Sequence, residues 1–169
     1  DIFEYFDDEP LASASIGQVH KAKIKGGQNV VVKIQRQEVK ELVVRDLSVL
    51  KEAVNRTERY LKKQGILNAQ DIVRAFERSM LKELDYNNER RNIMRFRKVY
   101  KSYEHIFYIP KAYADYSTEK VLVIEFADGC KINEVKKLRE WKLDPRKIAE
   151  NGMEIYLTQI FEFGMFHAD

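Results

Sequence analysis

Residues 10–22, PLASASIGQVHKA, decide how the rest of this chain is read. Within them, residues 12–19 keep the spacing G-x-G-x-x-G-x-V of a loop that cradles phosphates, with alanine at the first two glycine places. Gly17 and Val19 hold their positions, and Ala12 and Ala14 replace the glycines. Small residues let backbone amides come close to a polyphosphate, and those amides bind its charge. Alanine permits that approach but resists the positive φ that glycine adopts freely, so an alanine version is expected to be stiffer. By itself the stretch also reads as a small-residue turn entering a strand. What surrounds it has to decide.

Working outward, GQVHKAKI and NVVVKIQ read as strands on either side of a turn at residues 25–29. The second of them carries Lys33 at the end of V-V-V-K. A lysine flanked by valines points from a buried strand; the plainer reading is an edge lysine reaching to solvent. From residue 39 to about 64 the apolar period becomes helical, with Val39, Leu42, Val43, Leu47, Leu50, Val54 and Leu61 recurring on one stripe at steps of three and four and, at its end, seven. Gly65 ends that helix. Asn68 is expected to cap a second one, with Asp71 in its first turn and a break near residues 86–88. Two further strands are expected, IFYIPKAYADYS and KVLVIEFA, joined by Thr118 and Glu119. A turn at Asp128–Gly129, a short helix near 134–139 and a longer one from Pro145 to about Glu162 complete the chain. Strands, long helices, strands, then helices make an α+β pattern, not repeating βαβ.

The totals agree with a folded domain. The chain has 169 residues, 44% hydrophobic and 34% charged, enough for a core. Its net charge is +3, and the basic residues are spread among acids along the helical stretches, more often a solvated surface than the one-sided basic stripe of a nucleic-acid binder. A single cysteine, Cys130, excludes an internal disulfide. The longest apolar run, VLVIEFA, is far short of the roughly 20 residues that span a bilayer. No stretch reads as a signal peptide. The pattern starts and stops abruptly, so the chain is expected to be a piece of a longer protein.

Four more features follow the loop in a fixed order. Lys33 closes a V-A-I-K-like tetrapeptide on the next strand, as in protein kinases. That pattern then needs a helical carboxylate to orient the lysine. KELDYNNE offers Glu83, Asp85 and Glu89; Asp85 and Glu89 are four apart and share a face, while Glu83 looks elsewhere. The plain alternative is a solvated charged helix. VLVIEFADG has the apolar-Glu-aromatic form of a strand entering an adenine-binding hinge, and HAD ends the chain where kinases carry HRD.

Together PLASASIGQVHKA, VVVKIQR, KELDYNNERRN, VLVIEFADG and GMFHAD resemble the UbiB family, the aarF-domain atypical kinase-like proteins of ubiquinone metabolism, over essentially the whole chain. The resemblance implies a protein-kinase-like small lobe, an antiparallel sheet with long family-specific helices, plus the first helices of the large lobe. It places the small lobe at 1–127 with a helical insertion at about 38–100, and the hinge and truncated large lobe at 128–169. It implies that Ala12, Ala14, Gly17 and Val19 lie over nucleotide phosphates and that Lys33 contacts them, paired with Glu89. Glu125 to Ala127 would be the adenine hinge, with Ile124 as gatekeeper, and Asp169 the catalytic-loop aspartate. Glu83 and Asp85 would form the family's regulatory E-x-D motif.

Some features depart from the pattern. Lys33 and Glu89 are 56 residues apart (89 − 33), longer than in ordinary kinases, and Gln37 stands where relatives often have proline. The K-x-G-Q extension, the asparagine after Asp169 and the D-F-G aspartate are not in this chain, so no metal ligand is expected within it. The implied function is ATP hydrolysis or phosphoryl transfer, with ATP and Mg²⁺, supporting isoprenoid-quinone biosynthesis; this piece alone is expected to be inactive. The alternative is a nucleotide-gated, non-catalytic scaffold for a lipid-biosynthetic complex. A small-molecule kinase of the aminoglycoside-phosphotransferase sort is disfavoured by the alanines. Implied partners are ATP or ADP and quinone-biosynthesis proteins, with peripheral membrane association through other segments and no nucleic acid. The implied location is cytoplasmic or at the bacterial inner membrane, or else mitochondrial or plastid.

Overall fold

The computed structural model describes residues 2–166. Alternating side chains build the first part of the chain into strands β1 (Phe3–Phe6), β2 (Ala12–Ser13), β3 (Gly17–Ile24) and β4 (Asn29–Gln35). Gly26 and Gly27, at φ of 112° and 94°, make the β3–β4 turn, a conformation closed to most other residues. Two long helices follow, α1 (Val39–Lys63) and α2 (Ala69–Glu83), then α3 (Tyr86–Val99). β5 (Val121–Glu125), α4 (Val135–Glu140) and α5 (Pro145–Leu157) come after, and a π-turn at Thr158–Glu162 extends α5. The five strands form one antiparallel sheet in the order β1-β3-β4-β5, with β2 paired to β3. An α+β chain with an antiparallel sheet is the expected fold class.

Three local expectations need correction. IFYIPKAYADYS is not a strand: only Ala112 bridges to Ile124, and Ala114–Tyr116 is a 3₁₀ turn. The bend brings Tyr113 and Tyr116 onto the sheet core, which a straight strand could not do. The break after α2 falls at Leu84–Asp85, earlier than expected, because Asp85 Oδ1 accepts the Asn87 amide and starts α3 at Tyr86. Asn68 stands at the start of α2, but its side chain makes no capping bond.

By packing, the chain falls into two compact units. One holds the chain to Asn92 together with Ala112–Glu125; the other holds Ile93–Lys111 and the chain from Phe126. In the first, one sheet face carries the core of Ala22, Ile24, Val30, Val32 and Val123, covered by Phe3, Phe6, Tyr113 and Tyr116. In the second, Tyr100 is the hub. Its ring packs on Phe96, Phe107 and Phe163, and its hydroxyl donates to Met165 O at 2.6 Å. Among the described residues no helix is long and apolar enough to cross a membrane.

Candidate functional site

Strand pairing sorts the sheet into two faces, because directly opposed residues point the same way and the next pair points the other. One continuous row is Ala12–Val19–Lys33–Leu122, and the row two residues along is Lys21–Val31–Ile124. Ala12, Val19, Val31, Lys33 and Ile124 therefore share the face opposite the apolar core. Glu125 pairs with Val30 and so takes the core face, where it helps raise the pKa of the part-buried Tyr113 above the usual tyrosine value; burial is the larger cause.

On the Lys33 face lies the start of α3. Lys33 Nζ donates to Glu89 Oε2 at 2.7 Å and sits 4.8 Å from the centre of the Tyr86 ring. The pair is part-exposed, 30% for Lys33 and 42% for Glu89. A pair that open adds at most about 1 kcal/mol to stability, so its geometry matters more than its energy. The start of α3 is held by two bonds, one to β4 and one to the turn before β5. Buried Gln35 donates from Nε2 to Leu84 O at 2.8 Å, and the Tyr86 amide donates to Glu119 O at 2.9 Å.

The alanine stretch is a hairpin at the edge of the same unit. Leu11 N–H donates to Val19 O and Ala14 N–H to Gly17 O, both at 2.8 Å. Arg36 straps it from below, donating its amide to Ile16 O at 2.9 Å and Nε to Ala14 O at 3.1 Å. No residue of residues 10–18 has a positive φ, so the hairpin does not need glycine rotation at Ala12 or Ala14. Among the described residues the amides of Ser15 and Ile16, at its tip, have no protein acceptor. Two free amides beside a lysine-bearing face suit an anionic ligand.

The hairpin, Lys33 and Glu89 thus belong to one unit. Glu83 is exposed at the end of α2, and Asp85 heads α3 instead of sharing a flank with Glu89. Ala127 is exposed in the other unit, and Asp169 lies outside the described residues. Among the described residues no three His, Cys, Asp or Glu gather as a metal cage. The residues that sequence reasoning passed over are Gln35, Arg36 and Tyr86. All three act across the chain on distant partners; each stood inside a motif already singled out, VVVKIQR or KELDYNNERRN, but none was given a role there. Burial, with Glu89 and Glu83 nearby, raises the pKa of Tyr86 above the usual tyrosine value.

Comparison with known proteins gives this geometry a context. The sequence matches the ABC1 atypical kinase-like domain across residues 1–169. It is 36% identical over 169 residues to the "Probable protein kinase UbiB" of Pseudomonas fluorescens strain Pf-5, covering 100% of this chain and 32% of that protein. The protein of the same name from Pseudomonas entomophila strain L48 is also 36% identical, with 31% of its length covered. The chain therefore spans about a third of the length of the curated relatives it matches. Among solved structures it is similar to Rv3197 of Mycobacterium tuberculosis, determined in complex with erythromycin. The TM-score is 0.64 at 33% identity, over 80% of this chain and 33% of that one. A kinase-like sheet with a lysine–glutamate pair, matched from end to end by one family, settles the assignment: the chain belongs to the ABC1 atypical kinase-like family, alongside relatives named UbiB.

Proposed function

We propose that the whole protein binds ATP, with its phosphates beneath the alanine hairpin, and uses it for ATP hydrolysis or phosphoryl transfer in support of isoprenoid-quinone biosynthesis. The observation that carries this reading is the Lys33–Glu89 pair on the sheet face shared with Ala12 and Val19. Phosphoryl transfer is mostly positioning and charge stabilisation, which a held lysine and free amides provide. In this reading Ala12, Ala14, Gly17 and Val19 frame the phosphates and Lys33 meets their charge. The backbone from Glu125 to Ala127 takes the adenine edge, and Asp169 takes the acceptor proton. Mg²⁺, bound by residues beyond this chain, would neutralise charge on the phosphates. Glu83 and Asp85 would face a regulatory segment outside the chain, and the protein would work beside quinone-biosynthesis enzymes at a membrane surface.

A second reading draws on the Arg36 strap. A hairpin tied down at Ala14 O and Ile16 O suits a sensor that closes on nucleotide without turnover. The two separate in one experiment on the full-length protein with Mg²⁺ and γ-labelled ATP. Released or transferred label, lost in Lys33→Met, is expected. ATP-dependent partner binding without any release or transfer of label would favour the sensor. Absence of ATP binding would overturn both.

A further inference from the structure

The nucleotide reading uses Lys33 and Glu89 but leaves Tyr86 without a task. Tyr86 is the first residue of α3 and only 1% exposed. Its hydroxyl is buried without a hydrogen-bond partner among the described residues, which is unfavourable and argues that the residue is not kept for a bond. Its surroundings are specific. The Lys33 ammonium stands 4.8 Å from the ring centre, and a Cβ on Gly17 would come within 2.5 Å of the hydroxyl oxygen. The ring therefore fills the space between the base of the hairpin and the lysine, with no room to tilt towards Gly17.

We propose that Tyr86 is a positioning residue, whose ring face holds the Lys33 ammonium in place for the anionic ligand. This rests on the nucleotide reading above. Tyr86 and Glu89 are three apart, so both side chains rise from one face of the first turn of α3. Glu89 fixes the ammonium by a hydrogen bond and Tyr86 fixes it through the ring quadrupole, from two directions. The difference in charge is the point. A second carboxylate would overcompensate the lysine and repel phosphate. A neutral ring orients the ammonium and leaves its charge for the ligand. Burial and the nearby carboxylates keep the phenol protonated, so the ring adds no anion of its own.

The test is ATP titration of the full-length protein carrying, at position 86, phenylalanine or phenylalanine with one, two or three ring fluorines. Fluorine weakens the ring face without changing the packing much. Tyr86→Phe should bind ATP within about twofold of the parent, and affinity should fall with each fluorine, by about two- to fivefold in total. The slope should vanish in a Lys33→Met background, because the effect passes through that ammonium. Where a fluorinated chain does not fold, Tyr86→Leu in the same two backgrounds carries the test, with the same loss and the same dependence on Lys33. A flat series in a parent that binds ATP, or an equal slope in Lys33→Met, overturns the role of Tyr86 alone. A parent that does not bind ATP overturns the nucleotide reading and this role with it.

Discussion

A Cβ at position 17 would lie 2.5 Å from Tyr86 Oη and 2.7 Å from Ile34 O, so Gly17 is glycine for lack of space. Its φ is not positive, and rotation is not the reason. Gly17→Ala should therefore cost about 1–3 kcal/mol in urea unfolding, as overpacking does. An unchanged midpoint would show that strand β4 yields. Ala12 and Ala14 present the opposite case. Neither has a positive φ, so the hairpin accepts alanine without strain. Ala12→Gly or Ala14→Gly should lower stability by only about 0.4–1 kcal/mol, through the freer unfolded chain. Both should change ATP affinity; two variants that melt almost normally and bind ATP like the parent would remove the hairpin from the site. Tyr86 adds a pH dependence. Its raised pKa means that below the usual tyrosine value, about 10, both folded and unfolded chains keep the proton and stability is full. Above it the unfolded chain ionises first and stability falls until the folded phenol ionises too. Tyr86→Phe should flatten part of that alkaline loss above the usual tyrosine value. Tyr100 and Tyr113, raised by burial, and Tyr103, raised by its hydrogen bond to Glu162, contribute to the same alkaline loss.

Among the elements, the junction between α2 and α3 sets the site. Gln35, 8% exposed, reaches from β4 to Leu84 O, and this bond holds the turn that aims Tyr86 and Glu89 at Lys33. Gln35→Ala leaves that carbonyl without its donor and should cost about 1–3 kcal/mol. Hydrogen exchange should speed up at the amides of Leu84 to Glu89 more than in β3; a uniform change would mean the bond does not act locally. None of this was legible, because Gln35 reads as an ordinary strand residue and its partner is 49 residues away. β3, β4 and α1 were legible nearly to the residue, since a glycine turn separates two strand-like runs and a helical apolar stripe starts at Val39. IFYIPKAYADYS misled because tyrosines and isoleucines favour pleated surfaces. Pro110 lacks the N–H that a ladder needs, and Tyr113 and Tyr116 bury themselves by turning. The ion pair was legible through the order of motifs. The ring beneath the lysine was not, since nothing local ties position 86 to position 17.

For the molecule as a whole, the Lys33–Glu89 pair separates two quantities that usually change together. At 30% and 42% exposure it contributes at most about 1 kcal/mol to folding, so Lys33→Met in the full-length protein should unfold almost where the parent does without ligand. Ligand binding is different. A nucleotide that binds only the folded state stabilises it by about 2.7 kcal/mol at 100 times its dissociation constant. If Lys33 meets the phosphates, the parent should gain that stabilisation with ATP, and Lys33→Met should gain little at the same concentration. Glu89→Gln should fall between them, because the lysine remains but loses its charged tether. The measurement is a melt of each protein with and without ATP. The curves without ligand exclude a fold defect, and the difference on adding ATP reports the site. Equal gains in parent and Lys33→Met would place the phosphates away from this lysine. A large loss of stability in ligand-free Lys33→Met would show instead that the pair is a structural clasp, and that the half-exposed geometry understates its worth.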